Sequence, residues 1–512
     1  MMILLTKSIY RIMKKYNLIL SLFATLMFAS CFEDETTMAN MSSLSEITIQ
    51  EGSINSVYNI NKNDTLVITP VFTQSKAEKQ LRHTWEIDLV EYSHEKEFHF
   101  VGEKLGVYNC RYIVENEDGK TFFPFKLYVN SPYEEGITVL SASAEGRPML
   151  SFMQTPADKN EWGEFTTKEL LTLNNQNFYF SSNPTDIVQS GNVLFLMCQG
   201  GAGDNDLPAI YYLNEKTFVI ESMLNISGYD DFNPTKLLIP STWGAYVTYP
   251  IVCENGKVYA FSPYEASVGP STNLGYIYSQ ATYVDDGDYY YDILLWDKDV
   301  NGLALIYGGY GPFYFGDKYH LSRLEPDFAS LNYFANREFI TMVPVRMTAD
   351  EIKLNGYEVI VLTKSGIINS SVVVGTSFWG SNNDGSYKLY SNGGFSMIGF
   401  GNLSINEKTP VIASKKFQLM LFAEGNKVRK WNYTTSQQIT AASTHTTIGS
   451  DNAIITGFEM SEDQTRTYIA FYEPTQSGLN GSVWVIDTDK GTVLNKYENV
   501  CYQPVKIMYK KK

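Results

Sequence analysis

The side chains best spaced for chemistry lie between residues 285 and 302. Asp297, Asp299 and Asn301, followed by Gly302, match the first half of a calcium loop, in which alternate oxygen ligands face one cation and glycine permits the sharp turn. The twelfth position, where that loop needs a bidentate Glu, is Gly308, and a plain polar hairpin turn accounts for the same residues. Just upstream, Asp285, Asp286, Asp288 and Asp292 surround Tyr289, Tyr290 and Tyr291, with Trp296 close behind. Aromatic faces beside polar groups bind sugars and peptides, so Tyr289, Tyr290, Tyr291 and Trp296 form a candidate capture surface. On a strand, alternate rings of that group would instead pack against the sheet. No cofactor is required by these residues, and Ca2+ is the one they admit.

Signatures of catalysis are sparse. The five histidines, His83, His94, His99, His320 and His445, form no H-E-x-x-H motif, and the chain has no G-x-S-x-G elbow or Walker loop. His94 and His99 flank Glu95 and Glu97, a metal set if they converge and a solvated loop if they do not. Glycosidases need two carboxylates roughly 5 to 9.5 Å apart across a pocket. The acids at 285–292 run along one loop, so a glycan-cleaving propeller hydrolase or lyase stays a secondary reading and no catalytic residue is assigned.

The elements that must position these residues are strands. Between 46 and 131, Tyr108, Cys110, Tyr112 and Val114 alternate with mostly polar residues. Asn116-Glu117-Asp118-Gly119 supplies a turn, and Phe123, Phe125, Leu127 and Val129 alternate on the return, which spells a β-hairpin. Thr65 to Phe72 reads as a further strand, and Trp85 as a buried residue inside another. Tyr108 stands two residues before Cys110, as at the tyrosine corner of immunoglobulin-like sandwiches, although no second Cys lies in this region.

Ser131-Pro132 marks a boundary, and residues 133–512 contain no helical pattern longer than a turn or two. A strand-turn-strand theme recurs at Ala209 to Thr217, Gly256 to Phe261, Asn426 to Tyr433 and Gly481 to Val493. Tyr212 and Tyr259 are 47 residues apart and Trp431 and Trp484 are 53 apart, close to the roughly 40 to 50 residues of propeller repeats. The reading is all-β: an N-terminal immunoglobulin/PKD-like sandwich, then a β-propeller-like domain of about seven or eight blades. The segment from Asn499 to Met508 is placed to close the ring. Stacked β-sandwiches are the structural alternative.

Composition sets further bounds. Aromatic residues make up 14% of the chain, including 36 Tyr, against 19% charged residues, a profile suited to an extracellular all-β protein. Cys110, Cys198, Cys253 and Cys501 lack metal-type spacing and read as small buried residues, with a Cys198–Cys253 pair left open.

The N-terminus carries a targeting signal. Met13-Lys14-Lys15 leads into the apolar run Leu18 to Phe28 and then Ala29-Ser30-Cys31, a secretory signal too short to span a bilayer. Met13 reads as the true start. Ala29-Ser30-Cys31 resembles the lipobox of bacterial lipoproteins, which implies cleavage after residue 30 and acylation of Cys31. Residues 31–45 then form a tether. Removal of Lys7, Arg11, Lys14 and Lys15, with no acid, takes the formal charge from -16 to -20, which argues against nucleic acid as a partner. Phe32-Glu33-Asp34-Glu35 resembles the acidic signal that sends lipoproteins to the outer face of the outer membrane in bacteria with Sus-type uptake systems.

The lipobox, the sandwich and the segment Gly136 to Phe152, with its apolar strand, Gly-containing turn and Leu150-Ser151-Phe152 strand, together resemble PKD-like family lipoproteins. That resemblance implies an accessory surface lipoprotein, anchored in the outer membrane. Its partners would be a TonB-dependent transporter, the transporter's lidding lipoprotein and an oligopeptide or glycan ligand. It supplies no catalytic residue. A purely structural importer subunit is the third reading.

Overall fold

The computed structural model describes residues 44–512 apart from 77–78, 157, 159–160, 202–205, 240–248, 272–277, 286–290, 298–301, 308–320, 325–337, 349, 352–356, 366–367, 377–388, 392–395, 399–404 and 434–443. Along much of 270–337 and 364–404 only the backbone of the strands is described. The chain divides between Ser131 and Pro132 into two compact units. Cys31 and its acidic neighbours lie outside the described residues.

The first unit is all strand. A five-stranded sheet runs in the order Val57–Asn61, Gly119–Asn130, Gly106–Asn116, Arg82–Ile87, Val90–Ser93, and two short antiparallel pairs join Ile47–Ile49 to Phe72–Gln74 and Thr65–Ile68 to Phe98–Val101. The hairpin closes with Asn116 opposite Gly119, and Asn116 Oδ1 accepts from the amides of Asp118 and Gly119. One core serves all three sheets. At its centre Trp85 is fully buried, its ring 4.8 Å from Phe98 and 4.3 Å from Tyr112. Its indole N–H donates to the Glu95 carbonyl at 2.9 Å, so the one polar atom of the ring is satisfied. Tyr108 makes the tyrosine-corner bond, its hydroxyl donating to the Lys104 carbonyl at 2.7 Å. The tether expected to reach residue 45 ends earlier, because Ser45 is buried and its amide donates to Asp118.

The second unit is a β-propeller, and its topology shows this directly. Among the described residues there are seven consecutive antiparallel sheets of four or five strands. Blades one to six occupy residues 184–225, 234–271, 278–324, 338–398, 411–447 and 454–501. Blades four and five are joined by a two-residue parallel pairing of their innermost strands, Val345 with Ala413 and Arg346 with Ser414. The seventh blade is assembled from both ends of the unit. Gln503–Lys510 is its innermost strand and pairs antiparallel with Gly136–Ala142, which pairs with Pro148–Gln154 and then Phe165–Thr167. Ring closure thus uses residues 503–510, while most of 493–501 forms the outer strand of blade six.

All four recurring sequence units fall on the third strand of a blade: Ala209–Asn214, Val258–Ser262, Lys427–Asn432 and Gly481–Asp487. The 47- and 53-residue spacings are therefore the repeat between equivalent strands of neighbouring blades. In blades one, two and six these strands are mostly apolar because sheets pack on each side of them, and Tyr212 and Tyr259 lie in one core shared by blades one and two, whereas Lys427–Asn432 carries a buried Arg429 bonded to Glu424. Only one α-helix is described, the five-residue Leu170–Asn174. Gly136 shows how tightly blade seven is built, since a Cβ there would lie 2.0 Å from the Met153 carbonyl oxygen.

Cys110, Cys198, Cys253 and Cys501 are free and buried, which settles the Cys198–Cys253 question in favour of thiols. Cys198 and Cys253 sit at equivalent ends of the second strands of blades one and two, and burial pushes the Cys253 thiol up to about 12.

Candidate functional site in the axial cavity

The innermost strands of blades seven, one and two begin with related tetrapeptides: Pro504-Val505-Lys506-Ile507, Pro184-Thr185-Asp186-Ile187 and Pro234-Thr235-Lys236-Leu237. In all three the pairing register slips between the Pro and the charged residue two positions on. Proline cannot donate to the ladder, and a bulge at that point re-aims the following side chain. Three neighbouring blades thereby bring Lys506, Asp186 and Lys236 together around the propeller axis.

Asp186 is the hub of this group. It is 3% exposed, and its carboxylate accepts from its neighbour's amide, Ile187 N at 3.0 Å, from Leu237 N at 2.9 Å and from Lys506 Nζ. One carboxylate therefore ties three consecutive blades together. Lys236 is exposed to the open space of the ring, with protein packed densely around it. This desolvation holds its ammonium below the ordinary lysine value, with Asp186 pulling it up and Lys506 pushing it down. A second carboxylate acts similarly: Glu459 accepts from Met460 N at 2.9 Å and Tyr509 N at 3.3 Å, with Arg346 Nη1 3.9 Å away.

These residues border a cavity of 710 Å3 walled by the innermost strands of blades two, four, five, six and seven. Lys236, Lys506, Met342 and Phe458 line it, and at its edge Lys408 Nζ stands 3.5 Å from Glu254. The volume falls within the range of small-molecule sites, and the lining mixes apolar side chains with a few fixed charges. The lining sets Lys236, Lys408 and Lys506 against Glu254, Glu407 and Glu459, so the cavity offers fixed charges of both signs to a ligand. The Asp186 and Glu459 carboxylates are bonded to backbone amides, an arrangement that fixes geometry.

The residues singled out in the sequence fall elsewhere. Tyr291 and Asp297 are the first and last residues of the second strand of blade three, and Asp297 pairs with Gly302 across the next hairpin. Six strand steps at roughly 3.3 Å each separate those two positions by about 20 Å, so Tyr291 and Asp297 stand at opposite ends of one strand. Trp296 requires a correction. It is fully buried and stacks on Phe339 of blade four, ring centroids 4.7 Å apart at 19°, which makes it a core residue between two blades and removes it from a capture surface. Tyr289, Tyr290, Asp299 and Asn301 lie outside the described residues. Among the described residues no group of three or more His, Cys, Asp and Glu side chains is placed to hold a metal ion. His94 and His99 each approach a different carboxylate, Glu91 at 3.7 Å and Glu97 at 3.4 Å.

The sequence does hold a signal for Asp186 and Lys236. The pair Pro184-Thr185-Asp186-Ile187 and Pro234-Thr235-Lys236-Leu237 recurs at 50 residues, the blade repeat. A charge at the same position of two short apolar strands marks a shared environment.

No family model and no curated protein matches the sequence. Among solved structures, the chain is similar to a quinonprotein alcohol dehydrogenase-like protein from Bacteroides thetaiotaomicron, at 14% identity over 91% of this chain and 99% of that one, with a TM-score of 0.49. It is also similar to the β-propeller domain of Cps50 (Swd1) from Myceliophteria thermophila, at 11% identity over 62% and 89% of the two chains with a TM-score of 0.36. A third similar structure is apo AztD from Citrobacter koseri, at 9% identity over 73% and 98% with a TM-score of 0.36. The seven-sheet topology, not these likenesses, carries the propeller assignment.

Proposed function

We propose that this protein is a non-catalytic, lipid-anchored lipoprotein of the outer membrane, facing the cell exterior, which serves as an accessory component of a Sus-type TonB-dependent uptake system. The propeller is its ligand-binding head, for an oligopeptide or a glycan, and the axial cavity is the site. The observation that carries the binding reading is the convergence of Lys506 and Lys236 on a 710 Å3 cavity, with Asp186 bonded to Lys506 beside it, through three equivalent bulges. Charges held this way meet a ligand without rearrangement, and little ordering cost is left for the binding event. The first unit acts as a PKD-like stalk, a reading supported by its central Trp85 and by the Tyr108 bond to Lys104. Acylation at Cys31 would hold the head at the surface and raise the effective concentration of a weakly bound ligand beside the transporter.

The test is a pull-down of the tagged protein from detergent-solubilised outer membranes, with mass spectrometry of the proteins and small molecules recovered. Recovery of a TonB-dependent transporter and its lid supports the role; a protein recovered alone overturns it. In parallel, Cys31→Ala is expected to move the protein from the membrane to the soluble fraction, and persistence in the membrane would sink the anchor.

A further inference from the structure

A second cavity lies away from the axis, at the seam where blade six meets blade seven. It has a volume of 610 Å3 and is bounded by the blade-six strands Arg466–Tyr472 and Val493–Cys501 and the blade-seven strands Pro148–Gln154 and Gln503–Lys510. Four aromatic rings wall it: Trp162, Tyr468, Tyr497 and Tyr509. Three of them have supports of their own. A Cβ on Gly163 would lie 2.2 Å from the Gln154 carbonyl oxygen, so only glycine lets that segment lie flat on the strand edge and present Trp162. Tyr497 meets Phe165 edge-on at 5.3 Å, and Tyr509 donates its hydroxyl to Glu135.

The groove already contains one example of the chemistry it favours. The Arg466 guanidinium sits 4.3 Å over the Trp162 ring, a cation held against an aromatic face. Six carboxylates line the groove, Glu134, Glu135, Asp158, Glu161, Glu462 and Asp463, against Arg466 and Lys512; behind the lining, Lys511 Nζ stands 3.9 Å from Glu462, Lys416 donates to the Asp463 carbonyl and Lys510 to the Glu134 carbonyl, which leaves one carboxylate in excess. Burial works to raise the Asp463 carboxyl, but hydrogen bonds from Ser461 and Thr465 outweigh it and hold the group below the usual value.

We propose that this groove binds a short peptide segment bearing Lys or Arg side chains. The rings supply apolar contact and cation–π attraction, and the carboxylate excess sets the sign of the ligand's charge. An anionic ligand is disfavoured by that excess, and a neutral glycan gains from the rings but nothing from the charges. The proposal deepens the reading of the propeller as a ligand-binding head and does not depend on the lipid anchor or the importer.

The experiment is calorimetric titration of the purified full chain with four probes: a tri-arginine amide, a tri-alanine amide, a tri-glutamate and a neutral trisaccharide. The tri-arginine amide is expected to bind best, with affinity falling about tenfold between 50 and 500 mM NaCl as screening shortens the reach of the carboxylates. Trp162→Ala is expected to weaken it on the order of tenfold. The exposed, shape-preserving Glu161→Gln should weaken it about threefold, and supplies a second variant if the first disturbs folding. Equal or tighter binding of tri-alanine or trisaccharide, no binding of tri-arginine, or indifference to both variants would overturn the proposal. So would a marked change in tri-arginine binding in Lys236→Gln, a tightening as the repelling ammonium is removed, which would put the peptide in the axial cavity. Failure of the pull-down with an intact tri-arginine titration would strike the importer role alone.

Discussion

Two cavities among the described residues of the propeller are of similar size and opposite construction. In the axial cavity the charges are internal ties: Asp186 bonds to two backbone amides and to Lys506, across three blades. In the seam groove the walls are aromatic, and the carboxylates outnumber the cations. The first arrangement contributes to the ring's integrity as well as to a site, whereas the second can change its side chains with little consequence for the fold. Stability measurements should therefore separate the two cavities.

The largest effect is expected at the hub. Asp186→Ala leaves Lys506 and Lys236 without their shared carboxylate and orphans the Leu237 amide, and should cost about 3 to 5 kcal/mol in denaturant unfolding. A loss below about 1 kcal/mol would mean that the hub is not a structural tie.

Next comes a pH effect near the seam. Lys510 is 1% exposed, with its ammonium donating to the carbonyls of Glu134 at 2.6 Å and Lys511 at 3.2 Å, and burial holds its pKa down to about 8. Because the unfolded chain keeps the proton to about 10.5, it binds more protons than the folded state between those values, and stability must rise with pH there. The expected gain is about 2 kcal/mol between pH 7 and pH 9.5. Above about pH 10 buried tyrosines such as Tyr212 and Tyr433, whose burial raises their pKa, reverse the trend. Lys510→Met should abolish the rise seen in thermal melts; an unchanged slope would show that another group causes it.

Smaller effects belong to the groove and the cavity edge. Trp162→Ala removes a partly exposed cation–π contact and should cost about 1 kcal/mol of stability, well below the hub value, while it weakens peptide binding about tenfold. Lys408→Gln breaks a solvent-exposed pair with Glu254 and should stay within about 0.5 kcal/mol, vanishing in high salt. A larger loss at Lys408 would bring the cavity edge into the same class as the hub.

Much of the fold was legible in the chain. The Gly106–Asn130 hairpin follows from alternation around Asn116 to Gly119, and the third strands of blades one, two and six stand out because a strand buried on both faces is mostly apolar. The sites were harder to read. Aromatic residues serve both ligand surfaces and sheet packing, and Trp296 belongs to the packing. The hub charges were hidden because each is a single ionic residue in a short strand, meaningful only when two equivalent strands are compared.

Local chemistry decides what is local. The strand periodicity and the turns are written within a few residues of one another, where alternation and backbone preference act. What the sequence alone did not decide is which distant residues meet. Lys506 reaches Asp186 across 320 positions, and Tyr509 reaches Glu135 across 374, because ring closure by Gln503–Lys510 brings the two ends of the propeller into one sheet. Only that closure creates the seam groove, and only the convergence of innermost strands on a common axis turns isolated charges into a site.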